Sequence, residues 1–104
     1  MTALTIEEVR SINKVVSEIT GERHRHIREK GWTAEHDDEH SDGELQEAAA
    51  AYCLWRDGRK SLPRSLWPWD MGWFKPKSIR RNLIKASALI IAEIQRIDRA
   101  DKEA

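Results

Sequence analysis

The chain has 104 residues, which is the length of a single domain with a modest core. Eighteen basic and eighteen acidic side chains give a formal net charge of zero, so neither DNA nor a membrane surface is an expected partner. Charged residues make up 35% of the chain, but five tryptophans and an apolar segment at 83–94 predict a folded protein.

The single cysteine, Cys53, excludes an intramolecular disulfide, and no run of 18 apolar residues predicts a membrane span. We therefore expect a cytoplasmic protein. Because Cys53 falls on an apolar helical stripe, it is predicted to be a small buried side chain.

The first predicted element is a long helix over 6–30. Thr5 and Glu8 form a capping-box pattern, and apolar residues then recur at spacings of three and four. The run GERHRHIREK at its end is typical of a solvated helix terminus, where cations are favourable. Arg23 interrupts the apolar stripe and is expected to reach inward, to Glu44 or to an anionic ligand.

Residues 31–47, GWTAEHDDEHSDGELQE, form an acidic segment with seven carboxylates and two histidines. Their oxygen and nitrogen atoms suit zinc or manganese, but the spacing matches no established metal motif. Three interpretations stay open: a solvated or partner-facing loop, a metal site, or direct contact with a ligand. The candidate metal ligands are Asp37, Asp38, Glu44 and Glu47, together with His36 and His40.

A second helix is predicted to begin at Asp42, a good N-cap, and to end before Gly58. Residues 59–77 hold all three prolines and three of the five tryptophans, which predicts a long connection without regular structure but ordered by its aromatics.

Ser78 is predicted to cap a third helix of about 25 residues. This helix has a heptad-like seam of Leu83, Ser87, Ile90, Ile94 and Ile97, and a second apolar face of Ile84, Leu89 and Ile91. A helix that is apolar on two sides contacts more than one neighbour. The sequence therefore predicts one all-α domain over 1–104, with three main helices and a bundle completed by self-association into at least a dimer.

A second group of functional candidates lies where the tryptophan-rich connection meets the third helix. Cations at a helix N-terminus oppose the helix dipole, and they are explained if they bind an anion such as phosphate. The candidate ligand-binding residues are Lys77, Arg80, Arg81 and Lys85 for phosphate, Trp69 and Trp73 for stacking on a base, and Trp32, His36 and Asp38 for ribose or base edges. The alternative is that the tryptophans fill the core and the cations pair with the acidic segment of this chain or of a second one.

The segments ERHRHIREKGWTAEHDDEHSDGEL, AAAAY, WPWDMGWFKP and RRNLIKASALIIAEIQRIDRA resemble a family of small proteins encoded in tailed bacteriophages and prophages. The resemblance covers roughly residues 22–100 and implies a phage-derived protein acting in the cytoplasm of a bacterial host. This setting fits a non-enzymatic protein that sequesters a phosphate-bearing nucleotide, such as a cyclic or ADP-ribose-type defence signal. No cofactor is expected.

A more distant resemblance links Glu44-Leu-Gln-Glu47 to the ExxE element of MazG-like all-α nucleoside triphosphate pyrophosphatases. It implies an alternative function, metal-dependent hydrolysis with Mg or Mn. The second carboxylate element of that family is missing, because the third helix offers only Glu93 and Asp98, five residues apart. A third alternative is a protein-binding module that uses the opposite charges of its two halves.

Overall fold

A computed structural model describes residues 2–103, and this part of the chain is helical without strands. The elements in order are α1 (Ile6–Lys30), α2 (Ala34–Asp38), α3 (Glu44–Leu54), α4 (Ser61–Leu66), a 3-10 helix (Met71–Trp73) and α5 (Ile79–Glu103). The predictions of an all-α fold and of three main helices are confirmed. Within the described range no helix is both long and apolar enough to cross a bilayer.

The bounds of α1 follow from local chemistry. The Thr5 side chain accepts a hydrogen bond from the Glu8 amide, and the Glu8 carboxylate accepts one from the Thr5 amide, both at 3.1 Å. Gly31 ends the helix with φ 71°, a left-handed conformation that glycine adopts without strain. The capping box and the predicted range are confirmed.

Helix α5 is the central element and packs against α1, α2 and α3, while α4 packs on α3. Leu45 of α3 and Leu89 of α5 are each 1% exposed. Small side chains let the two helices approach closely: Ala48, Ala49 and Ala51 from α3, and Ala86, Ala88 and Ala92 from α5. Of the predicted second apolar face of α5, Leu89 lies in this core and Ile84 is buried, whereas Ile91 is only partly buried.

Three predicted boundaries are corrected. The acidic segment contains α2, because the Thr33 hydroxyl accepts a hydrogen bond from the His36 amide at 3.4 Å and caps a short helix. Helix α3 begins after Gly43, and the Asp42 amide instead donates to Glu44 at 2.6 Å. The connection contains α4, where Pro63 is tolerated because the first-turn amides of a helix have no intrahelical acceptor.

The tryptophan-rich connection is ordered, as predicted. Trp67 and Phe74 are buried beside Tyr52, with ring centroids 5.6 and 5.0 Å from the Tyr52 ring. The Trp67 indole donates to the Asp70 carbonyl at 3.0 Å, and the Lys75 amide donates to the Tyr52 hydroxyl at 3.1 Å. The segment that leads into α5 is therefore held in one place on the core.

The prediction for Cys53 is wrong, because this residue is exposed. It lies in the last turn of α3 beside Leu54, which is exposed as well. An apolar stripe predicts which way a side chain points, but not whether another helix or loop extends far enough to bury it.

Candidate functional site

Two adjacent cavities open beside the end of α1, one toward the start of α5 and the other toward α2 and the tryptophan-rich connection. The basic cavity has a volume of about 310 Å³ and the aromatic cavity about 340 Å³. Lys30, Trp32 and Trp73 line both of them. The basic cavity is otherwise lined by Glu22, Arg25, His26, Tyr52, Lys75, Lys77, Arg81, Lys85 and Leu89. The aromatic cavity is otherwise lined by His36, His40, Trp69 and Asp70.

Asn82 holds the wall of the basic cavity in place. This side chain is 1% exposed, and its amide oxygen accepts from the Lys77 amide at 2.6 Å while its nitrogen donates to the Lys77 carbonyl at 3.2 Å. Together with the bond from the Lys75 amide to Tyr52, this pair fixes residues 75–77 against the first turns of α5. The cations of the connection and those of α5 consequently face one space.

Positive charge dominates the basic cavity. Its lining has six cationic side chains, Arg25, Lys30, Lys75, Lys77, Arg81 and Lys85, and one carboxylate, Glu22. The Glu22 carboxylate is already engaged, since it accepts from Arg25 at 2.9 and 2.7 Å and from Arg81. Burial by itself raises the pKa of Glu22, but the Arg25 hydrogen bond, the His26 imidazolium and the Arg81 hydrogen bond lower it to about 2.

Lys85 is a buried cation of the basic cavity. Its ammonium donates to the Lys75 carbonyl at 2.7 Å and lies 5.3 Å from the centroid of the Tyr52 ring. Burial, with the neighbouring Arg81 charge, lowers the pKa of Lys85 to about 8. Burial is the larger cause, and an anion in the cavity would offset the smaller one, the repulsion from Arg81.

His26 presents a buried acceptor at the same place. Its Nε2 lies 3.0 Å from a Glu22 oxygen, and burial lowers the pKa of the ring to about 4, so the ring is neutral near pH 7. A neutral ring that donates through Nε2 leaves Nδ1 as an acceptor, a tautomer assigned from the hydrogen bond to Glu22. Among the described residues, His26 Nδ1 is buried without a hydrogen-bond partner.

The aromatic cavity is built on a run of rings. Trp32 stacks on His36 at 6.0 Å with 5° between the planes, His36 lies 5.0 Å from His40, and His40 lies 4.8 Å from Trp69. Trp73, at the mouth shared with the basic cavity, is 57% exposed. This arrangement offers planar apolar surface directly beside the cations.

Seven of the nine predicted ligand-binding residues line the two cavities: Trp32, His36, Trp69, Trp73, Lys77, Arg81 and Lys85. The other two, Asp38 and Arg80, line neither of these cavities. Asp38 pairs with Arg99 at 2.8 Å, and Arg80 pairs with Glu18 of α1.

The two arginines at the start of α5 form ion pairs within the chain. Glu18 and Glu22 of α1 pair with Arg80 and Arg81. Within this chain these two arginines do not pair with the acidic segment, and a pairing with the acidic segment of a second chain stays a prediction. Their acidic neighbours come from α1, because the C-terminal half of that helix packs on α5.

The sequence reasoning missed the contribution of α1 to the basic cavity, which consists of Glu22, Arg25, His26 and Lys30. The run that contains them was interpreted as a solvated helix end. A usable signal was present, since the spacing of Glu22, Arg25 and His26 places them on one face of a helix. Charged residues that share a face and continue an apolar stripe need partners from elsewhere in the fold.

Arg23 reaches inward as predicted, but its partner is Asp37 rather than Glu44. The two side chains pair at 2.9 Å and are 7% and 1% exposed. The Arg23 guanidinium also donates to Gln95 at 3.0 Å and to the Trp32 carbonyl at 3.5 Å. This network joins α1, α2 and α5 behind the cavities.

The four candidate metal ligands are not brought together. Asp37 pairs with Arg23, Asp38 with Arg99, and Glu44 lies 3.4 Å from His40, while Glu47 is exposed. Within residues 2–103 no group of three or more His, Cys, Asp or Glu side chains is placed to hold a metal ion. In this structure the acidic segment therefore does not converge on one cation, which was one of its three open interpretations.

Comparisons of the chain with protein-family models, with curated proteins and with solved structures find no match. The phage resemblance and the MazG-like resemblance stay predictions.

Proposed function

We propose that this protein binds and sequesters a phosphate-bearing nucleotide-type ligand, with phosphate in the basic cavity and the base in the aromatic cavity. The observation that carries the proposal is the junction of the two cavities, where an excess of cations meets the rings of Trp32 and Trp73. A nucleotide has the same two parts, an anionic phosphate and a planar base.

The basic cavity suits phosphate because several of its cations are available. Lys30, Lys75 and Lys77 are exposed, and hydrogen bonds from charged donors to phosphate are stronger than neutral ones. Arg81 can add a contact from its exposed side while Glu22 holds its guanidinium in place. The excess of positive charge favours a ligand with more than one negative charge.

The aromatic cavity suits a base because stacking needs a flat and partly exposed ring. Stacking of a base on an aromatic side chain contributes roughly 1–3 kcal/mol and tolerates any base. Trp73 is accessible from both cavities, and Trp32 is held between the rings of His26 and His36.

Binding is favoured over hydrolysis because the one carboxylate in the basic cavity, Glu22, is committed to ion pairs and its pKa is about 2. Such a group is a poor proton acceptor at neutral pH. The phage resemblance implies that the protein acts in a bacterial cytoplasm. Our proposal therefore includes that the sequestered ligand is a defence nucleotide of the host.

Calorimetry with ADP-ribose, cyclic dinucleotides, ATP and inorganic pyrophosphate tests the proposal. We expect the Lys77→Gln variant to lose about 1.5–3 kcal/mol of binding free energy for any bound member, since one charge-assisted contact is removed. Arg59→Gln is the matched control, because Arg59 is an exposed cation outside both cavities. No binding of any of these ligands to the wild-type protein would refute the proposal.

The two-part geometry has its own test. Trp73→Ala should weaken a nucleotide by roughly 1–3 kcal/mol and leave inorganic pyrophosphate unchanged, because only the nucleotide has a base to stack. Leu62→Ala, at an apolar residue that is also 57% exposed but lies outside the cavities, is the control. Equal weakening of both ligands by Trp73→Ala would contradict the assignment of the aromatic cavity to the base.

A further inference from the structure

The first half of α1 lies away from the rest of the fold. Residues 2–17 are all exposed, and intrachain packing begins near Glu18. The radius of gyration is 15.3 Å, whereas a compact chain of this length is expected to have about 13 Å. We call residues 6–17 the arm.

The arm projects because α1 crosses α5 at a steep angle. The adjacent residues Glu22 and Arg23 bond to Arg81 and Gln95, which are about 21 Å apart along α5 at 1.5 Å per residue. If the two helices ran side by side, adjacent residues of α1 would contact positions of α5 that are close together. The steep crossing carries the arm past the edge of α5.

The arm has an apolar stripe that nothing in the described chain covers. Ile6, Val9, Ile12, Val15 and Val16 are 39–69% exposed. β-Branched residues are poor helix formers, and short isolated helices are marginal in water, so most helix stability has to come from packing of the apolar face. The arm therefore needs a partner surface to remain helical.

A second uncovered stripe lies on α5. The heptad seam predicted from the sequence is exposed, with Leu83, Ile90, Ile94 and Ile97 at 40–53%. Val9, Ile12, Val16 and Ile19 of α1 follow the same alternation of three and four residues. Matching heptad stripes are the pattern by which helices of separate chains pack together.

From these two stripes we infer that the arm and the exposed α5 seam form the interface of a homodimer. The nine side chains present on the order of 400 Å² of apolar area, if a fully exposed aliphatic side chain contributes roughly 60–120 Å². Because homodimer interfaces are about 65% apolar, this corresponds to roughly 600 Å² per protomer, or about 1,200 Å² in total, at the lower limit of the standard range.

The charges of the arm favour a second copy over a membrane. Glu7 and Glu8 lie in its first turn, and Arg10 and Lys14 follow. Antiparallel pairing of two arms brings the acidic end of each toward the basic part of the other, whereas parallel pairing places like charges together. Helices that bind anionic lipid have an excess of cations. The arm has no such excess, because its two cations are matched by two carboxylates.

Light scattering on purified protein at micromolar concentration tests the inference. Wild type should have twice the chain mass of 12.1 kDa, and the double variant Ile12→Glu, Val16→Glu should have the single-chain mass. Ser11→Glu introduces one of these two negative charges outside the apolar stripe of the arm and should stay dimeric. A wild-type mass of 12.1 kDa, or a dimer that survives the double variant, would overturn the inference.

Two further measurements separate the alternatives. Ile94→Glu should also weaken the dimer, and an unchanged dimer would remove the α5 seam from the interface. Wild-type monomer that co-sediments with anionic vesicles would replace the second copy by a lipid surface. All variants should keep wild-type ligand binding, because none of these residues lines the two cavities. A result that overturns the dimer therefore leaves the proposed function intact.

Discussion

Replacement of Asp37 by Asn should be among the most damaging conservative changes in this chain. Asp37 is fully buried, and its carboxylate pairs with Arg23 at 2.9 Å. The Asn side chain keeps the shape but removes the negative charge, which leaves the Arg23 guanidinium buried without a counter-charge. Breaking one side of a buried pair costs about 3–5 kcal/mol, and Arg23 keeps its bond to Gln95, so we expect the lower end of that range.

Asp38→Asn is the matched control, because the same chemical change is made one residue along α2. Asp38 pairs with Arg99 at 2.8 Å, but the two side chains are 46% and 29% exposed. Water already solvates such a pair, so its loss should cost less than about 1 kcal/mol. The two substitutions therefore isolate the effect of burial on an ion pair.

Urea unfolding monitored by circular dichroism gives both free energies, and thermal melting gives a second measure. At roughly 4–8 °C per kcal/mol, a loss of about 3 kcal/mol lowers the Tm by about 12–24 °C for a domain of this size. Equal losses in the Asp37 and Asp38 variants would refute the reasoning. Partial recovery in the double variant Arg23→Met, Asp37→Leu would support it, since an apolar pair removes the unpaired charge.

Stability should fall as pH drops from about 6.5 toward 2, because the folded-state pKa values of His26, about 4, and Glu22, about 2, lie below their ordinary values of 6.5 and 4.5. Constant urea midpoints from neutral pH into this range would contradict it. Affinity for an anionic ligand should weaken as pH rises through about 8, where Lys85 loses its proton in the free protein, and calorimetry at several pH values checks this. Tyr52→Phe should cost about 0.5–1.5 kcal/mol in urea unfolding by removing the hydroxyl that accepts from the Lys75 amide. Cys53 should react with a maleimide in the folded protein, since it is exposed, and protection until unfolding would contradict its position.

The long helices could be predicted because their signals are local. The Thr5 capping box, the left-handed Gly31 and the hydroxyl of Ser78, which accepts from the Arg81 amide at 3.1 Å, act within a few residues of the helix ends. The three-and-four spacing of apolar residues is equally local. The short helices α2 and α4 were missed because five or six residues are too few for a periodic pattern.

The sequence predicted which types of residue form the candidate site, but not which individual residues line its cavities. Aromatic and basic residues near Trp73 and Lys77 pointed to an anion and a base, and both residues line the cavities. Arg80 and Arg81 are adjacent in sequence and equally basic, yet only Arg81 faces the basic cavity. Both pair with glutamates of α1, so their separation depends on how α5 is rotated about its own axis, and no local pattern encodes that.

The sequence by itself determined that this chain is helical, where its three long helices lie and that it has two heptad stripes, because capping, glycine conformation and side-chain periodicity act over one or two turns. Tertiary structure alone decided that Glu22 meets Arg81 and that Arg23 meets Asp37 in the core. Pairings of this kind depend on helix crossing angles and on burial, which follow from the packing of all the elements together.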